Sequence, residues 1–183
     1  MKNKVKSSAL ASILIGLSVV ALLSIDNMYI GAFLFSLGLI SICYLNLDLF
    51  TGKCGFIYKT NPKDLFYILL INLIVGFLFG LIIHYSIPIL TPLALKKIST
   101  WNFSYSFFMK SILCGMTMYL AVKLFKLKSN LGFCYVPFFI LSGFQHCIAN
   151  IVICGIAGQF SLTIIICILG NLVGSVIIDF LLN

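Results

Sequence analysis

Long apolar runs alternate with short polar stretches along the whole chain. About twenty apolar residues in helical form span a bilayer, and six runs come close to or exceed that length. The six runs are residues 7–24, 28–49, 64–87, 107–125, 131–153 and 160–182. The pattern predicts an all-α integral membrane protein with six transmembrane helices.

Composition agrees with that prediction. The chain has 183 residues, of which 62% are hydrophobic and 9% charged, and a soluble domain of this size needs far more charge to cover its surface. The first run follows several lysines, as a signal peptide would. It lacks a small-x-small cleavage site before Asp26, so we expect a retained helix.

The basic residues are twelve lysines, with no arginine, and they give a net charge of +8. They flank the apolar runs and form no patch, which argues against a nucleic-acid partner. With both termini in the cytoplasm, nine lysines lie on or towards that side and only Lys96 and Lys97 lie in external loops. The nine are Lys2, Lys4, Lys6, Lys53, Lys59, Lys63, Lys123, Lys126 and Lys128. The positive-inside bias predicts this orientation.

The longest connection, residues 88–106, divides the chain into residues 1–92 and 93–183, with three helices in each half. Three helices repeated with inverted topology is a transporter plan in which sites form where broken helices meet. Polar residues and glycines interrupt the second run of each half, at 46–55 and 143–150. Backbone freed from a helix at membrane depth needs partners or a water-lined cavity. Two matching interruptions predict a shared central site.

Close helix packing is predicted for the third run of each half. Gly76 and Gly80 in the first half, and Gly170 and Gly174 in the second, stand in GxxxG spacing. Small residues at this spacing let two helices approach closely.

His146 lies inside the second interruption. An ionisable side chain near the bilayer midplane is costly and tends to face a pore or the protein interior. The alternative is a histidine that only packs between helices. His84 is expected at the membrane interface, and Asp179 is expected to face lipid headgroups. The seven cysteines are scattered with no CxxC or Cys/His spacing, so no metal site or cofactor is expected.

Four motifs in register carry a resemblance to a known family. They are Leu49-Phe50-Thr51-Gly52, Lys110-Ser111-Ile112-Leu113-Cys114-Gly115 with Ala121-Val122 following, Gly143-Phe144-Gln145-His146-Cys147-Ile148-Ala149-Asn150, and Gly170-Asn171-Leu172-Val173-Gly174. Together they resemble the signatures of the formate–nitrite transporter (FNT) family over nearly the whole chain. The sequence departs from the family pattern at Asp48, Gln145 and Gly115.

The resemblance implies an aquaporin-like protomer with broken second and fifth helices, assembled as a homopentamer in a bacterial cytoplasmic membrane. It implies that His146 is the central histidine, Thr51 its hydrogen-bonding partner, Asn171 a nearby asparagine and Lys110 a buried cation that attracts anions. Apolar constrictions around the histidine are implied for five residues: Leu49, Phe50, Phe35, Leu39 and Phe139. From the residues alone, Lys110 could instead snorkel to the interface, and Thr51 and Asn171 could be ordinary interhelical hydrogen-bonding residues.

These features predict a channel or transporter, not an enzyme, whose partners are small monovalent anions, protons and the bilayer. Lys110 would concentrate the anion and His146 would supply or relay a proton. Formate, nitrite, hydrosulfide and short carboxylates all fit, and a channel and a proton-coupled carrier would use the same histidine. The alternative is a substrate-binding membrane subunit of an ATPase-dependent vitamin or metal uptake transporter. A membrane hydrolase is disfavoured because glutamate and the HExxH motif are absent from the sequence.

Overall fold

The computed structural model describes residues 2–56, 60–129 and 131–183, and those ranges contain helices and no strand. The helices are α1 (Lys2–Ser24), α2 (Met28–Tyr44), α3 (Phe50–Lys53), α4 (Pro62–Ser86), a 3₁₀ turn (Pro88–Leu90), α5 (Thr91–Ile98), α6 (Tyr105–Lys126), α7 (Leu131–Leu141), α8 (Cys147–Ala157) and α9 (Thr163–Leu182). Lys59, one of the nine lysines used for orientation, and the Lys2 side chain lie outside the described residues.

Four of the described helices, α1, α4, α6 and α9, are long and apolar enough to cross a membrane. The second and fifth apolar runs do not form single helices. α2 ends at Tyr44 and the one-turn α3 begins at Phe50, while α7 ends at Leu141 and α8 begins at Cys147. The long connection expected as a loop also differs, because it folds into α5, which buries Ala94 and Ile98.

Helix contacts follow the same scheme in both halves. In the first half α1 packs against α2 and α4, and in the second half α6 packs against α7 and α9. The short helices join the halves: α2 contacts α7, α8 contacts α4, and α3 contacts α6 and α9. α5 covers α8 at one end of the bundle.

Glycines permit two of these contacts, as the GxxxG spacing predicts. A Cβ placed on Gly80 would collide with the carbonyl oxygen of Val152, and one on Gly174 would collide with the carbonyl oxygen of Ile112. The backbones of α4 and α8, and of α6 and α9, therefore touch directly at these points. In a membrane such packing replaces the hydrophobic driving force that holds soluble helices together.

Asp179 does not face headgroups, so that expectation is wrong. Its side chain is buried on α9, where Oδ1 accepts from the Tyr119 hydroxyl at 2.5 Å and from Asn183 Nδ2 at 2.9 Å. A buried carboxylate needs such donors because burial without them is costly. The contact ties the end of α9 to α6.

Candidate functional site: a buried histidine between two cavities

The two helix interruptions are built in the same way. Leu47 N–H reaches back to Ile42 O at 2.9 Å after Asn46, which has φ 50°. Phe144 N–H reaches back to Phe139 O at 3.1 Å after Gly143, which has φ 68°. Both are Schellman endings, in which a residue in the left-handed conformation stops the helix and satisfies its last carbonyls. Asn and Gly suit that position best, so each break follows from local sequence.

Asn171 holds the start of the second half-helix. From α9 its Oδ1 accepts from Cys147 N–H, the first residue of α8, at 2.9 Å. Its Nδ2 donates to Gln145 O and to Ser111 O, both at 2.8 Å. The side chain is completely buried. Asn171 therefore binds the broken backbone of α7 and α8 to α6, and the predicted nearby asparagine acts on the backbone beside His146.

Asn72 does the same in the first half, and sequence reasoning missed it. From α4 its Oδ1 accepts from Phe50 N–H at 2.8 Å, and its Nδ2 donates to Ser8 O at 2.8 Å and to Asp48 O at 3.3 Å. The pattern is that of Asn171: the side-chain amide bonds to the first N–H of the half-helix, to the carbonyl two residues before it, and to a carbonyl of a long helix. A lone asparagine in the third apolar run of each half was the signal that could have found it.

His146 caps α8 with its own ring. The Ala149 N–H donates to His146 Nδ1 at 3.1 Å, so Nδ1 bears no proton and the neutral ring carries its proton on Nε2. Nε2 lies 2.9 Å from Thr51 Oγ1, which accepts a hydrogen bond from the Nε2–H. His146 is 2% exposed and Thr51 1%. The structure thus brings together the histidine of one break and the threonine of the other.

Aromatic rings enclose the histidine on one side. Phe139 stacks on His146 with ring centroids 5.8 Å apart and planes at 26°. Phe35 meets the edge of Phe139 at a centroid distance of 5.8 Å. Both phenylalanines are buried, so the two rings form an apolar wall beside His146.

A cavity of about 130 Å³ reaches this wall from the end of the bundle that carries α5. We call it the Lys97 cavity. Its lining includes Val19, Phe35, Lys97, Thr100, Trp101, Phe139, Gly143, Gln145, His146 and Asn150. Asn150 Nδ2 donates to Gln145 Oε1 at 2.9 Å, so amide groups and His146 form its polar part.

A second cavity of about 270 Å³ opens at the opposite end. We call it the Lys53 cavity, and it is lined by Leu39, Ile42, Cys43, Asn46, Leu47, Leu49, Gly52, Lys53, Val122, Phe125, Lys126 and Lys128. Phe35 borders one cavity and Leu39, one turn later on α2, borders the other. The barrier between the cavities is therefore short.

Two of the expected site residues lie elsewhere. The Lys110 side chain is exposed on α6 and borders neither cavity, so the expected buried cation is wrong for this position. Only its carbonyl approaches the site, accepting from Gln145 N–H at 3.3 Å. Phe50 is buried and also borders neither cavity.

The sequence pattern gives Lys97 and His84 no role in the site. Lys97 is solvent-accessible at the mouth of its cavity, and partial desolvation by the apolar wall lowers its pKa. His84 is half-buried near the end of α4, with Nδ1 2.9 Å from Ile156 O near the end of α8. Among the described residues no group of three His, Cys, Asp or Glu side chains could hold a metal ion.

No protein-family model matches the chain, and no curated protein matches it by sequence. A solved structure described as an FNT family ion channel matches with a TM-score of 0.73 and 19% sequence identity. The match covers 98% of this chain and 86% of that one. Its apolar helices make the chain an integral membrane protein, and the match shows that it has the fold of an FNT family ion channel, as the sequence resemblance predicts.

Proposed function

We propose that this chain forms a transmembrane path for small monovalent anions, with His146 at its centre. The observation that carries the proposal is the buried His146–Thr51 pair, which lies next to a short barrier between two cavities at opposite ends of the bundle. Lysines border both cavities. A packing histidine would not need access from a cavity, and it would not need a cation at each mouth.

Electrostatics favour an anion along this route. Moving a carboxylate-sized ion into an apolar medium costs on the order of 20 kcal/mol before relaxation, so the barrier must be thin or partly polar. His146 marks the N-terminal end of α8, where the partial positive charge of a helix stabilises anions. The His146 Nε2–H, which donates a hydrogen bond to Thr51 Oγ1, is also a donor for an anion in the path.

We further propose that a proton is exchanged with the anion at His146, so that the weak acid crosses the apolar barrier uncharged. Nδ1 already accepts from Ala149 N–H. A hydronium ion in the Lys97 cavity, which His146 lines, gives its proton to Nδ1 and breaks that hydrogen bond. The ring then releases its Nε2 proton to the anion and is left neutral with its proton on Nδ1. Water carries that proton from Nδ1 to Nε2 and restores the starting ring. Losing the bond makes the imidazolium short-lived, which suits a relay better than a stable cation.

The path would run through six membrane crossings, two of which are the interrupted pairs α2–α3 and α7–α8. The matching roles of Asn72 and Asn171 support an inverted repeat of residues 1–92 and 93–183. The lysine distribution supports cytoplasmic termini in a bacterial plasma membrane. Assembly as a homopentamer remains an expectation from the FNT resemblance.

Cavity size weighs against the rival function of a vitamin-binding transporter subunit. Pockets that bury a drug-sized ligand measure about 300–1,000 Å³. The two cavities beside the barrier are about 130 and 270 Å³. They suit ions and water better than a vitamin.

Purified protein in liposomes tests the proposal. Formate, nitrite and hydrosulfide fluxes are measured at two pH values for wild type, His146→Asn and Thr51→Val, with His84→Asn as the matched histidine control. We expect wild type and His84→Asn to carry anions unaided. His146→Asn should lose the pH dependence, and Thr51→Val should change the rate.

Two results would refute the proposal in different ways. If wild type carries none of the anions but retains a bound vitamin or metal, the transporter-subunit reading is correct. If His146→Asn keeps the wild-type pH dependence, the anion path stands but the proton role is wrong.

A further inference from the structure

The short helix α5 brings one lysine to the Lys97 cavity. Ala94 and Ile98 bury their side chains against the bundle, where α5 packs on α8. Lys96 and Lys97 are both exposed, but Lys97, next to Ile98, borders the cavity and Lys96 does not. Two adjacent lysines of one helix are therefore placed differently by its packing.

The end of α5 is also fixed. The Thr100 hydroxyl donates to Lys97 O at 2.7 Å, and Trp101 N–H donates to Ile98 O at 2.9 Å. The carbonyls at a helix C-terminus carry a partial negative charge, which favours a lysine in the last turn. These contacts hold the Lys97 backbone beside the cavity that its residue lines.

The formal charge among the described residues that line this cavity is positive. Of the described residues that line it, Lys97 is the one that carries an ammonium group, and none is an aspartate or glutamate. The remaining polar lining includes Thr100, Gln145, His146 and Asn150. A concave, partly apolar wall concentrates the field of a single charge and raises the local concentration of counter-ions.

We propose that Lys97 and the polar lining of its cavity form an anion-binding station that loads the path before His146. The station rests on the proposed function and assigns it an entry site. Lys97 supplies the attraction that Lys110, exposed on α6 and away from both cavities, does not supply here. The ligand is a monovalent anion small enough for a cavity of about 130 Å³.

A binding measurement tests the station separately from transport. Trp101, the one tryptophan of the chain, lines the same cavity, so iodide quenching of its fluorescence reports the local anion concentration. We compare wild type with Lys97→Gln, Lys97→Arg and the control Lys96→Gln. Neutral acrylamide serves as a second quencher and reports access alone.

We expect Lys97→Gln to weaken iodide quenching at low salt and to leave acrylamide quenching unchanged. Lys97→Arg should restore quenching, and Lys96→Gln should resemble wild type. In liposomes, Lys97→Gln should raise the half-saturating anion concentration about tenfold, the lower end of the range for electrostatic steering, without changing maximal flux. High salt should erase the difference.

Equal iodide quenching and equal half-saturation for Lys97→Gln and Lys96→Gln would overturn the station while wild-type flux upheld the anion path. A wild type without flux would overturn the path. If iodide quenching still depended on Lys97 in that case, Lys97 would bind anions but would not load a path, and the inference would be overturned. A parallel fall in acrylamide quenching would also overturn the inference, since the substitution would have closed the cavity.

Discussion

Replacing Asn171 with leucine removes the hydrogen bonds that hold the start of α8 while keeping a side chain of similar size. The amide makes three: one from Cys147 N–H and one each to Gln145 O and Ser111 O. Leucine can make none of them. The first amide of α8 then has no partner, and His146 loses the anchor that fixes its neighbouring residue.

The size of the effect follows from those three bonds. A buried hydrogen bond contributes about 1 kcal/mol net in soluble proteins and about 0.6 kcal/mol in a membrane protein. Three of them therefore predict a loss of about 2–3 kcal/mol in the free energy of unfolding. Because 1.4 kcal/mol is a tenfold change, the unfolded fraction should rise roughly 30- to 150-fold.

Denaturant titration in detergent measures this loss, with the fluorescence of the single Trp101 as the signal. Asn72→Leu provides the matched variant, since Asn72 makes equivalent bonds in the first half. We expect a similar loss. Ser41→Ala is the control because Ser41 is half-buried and its hydroxyl donates only to Leu37 O of its own helix at 2.8 Å, in an exposed hydrogen bond.

Anion flux completes the experiment. Asn171→Leu should also reduce flux, because Cys147 directly follows His146. A stability within about 0.5 kcal/mol of wild type, the usual range for surface substitutions, would refute the reasoning for Asn171. It would mean that water or a rearranged backbone satisfies the freed groups.

Two further predictions concern glycines. Gly174→Ala should destabilise the protein by about 3 kcal/mol, because the new Cβ meets the carbonyl oxygen of Ile112. Gly52→Ala, where the nearest atom is 3.5 Å away, should fold normally in the same titration. Gly143→Ala should cost about 1–2 kcal/mol through φ alone, since nothing lies within 4 Å of its Cβ position. Gly143→Asn should cost less, as Asn46 adopts φ 50° at the matching break, and equal losses for both variants would contradict this.

The interrupted helices could be predicted because their causes are local. Asn46 and Gly143 each stop a helix by accepting a left-handed conformation, which depends on the residue itself and not on its neighbours in space. Apolar run lengths likewise predicted membrane-length helices, and four of the six, α1, α4, α6 and α9, are long and apolar enough to cross a membrane. The polar pattern placed His146 inside an interruption, and the family resemblance implied that Thr51 is its hydrogen-bonding partner, a contact that the structure contains.

Which way a side chain faces could not be predicted in the same way. These helices are apolar on all sides, so hydrophobic periodicity, which marks the inner face of a soluble helix, carries little information here. The family resemblance implied a buried Lys110, whereas its side chain lies exposed, as the snorkelling alternative allowed. Asp179 was expected among headgroups and lies buried against Tyr119.

By itself, then, the sequence determined that the chain enters a membrane, where its helices break and which polar residues could meet. Tertiary structure decided the rest: Asn72 and Asn171 each bind the start of a half-helix, and Lys97, not Lys110, borders a cavity. The physical reason is that break points arise from conformational preferences within a few residues. Partners and cavities arise only when helices distant in sequence pack together.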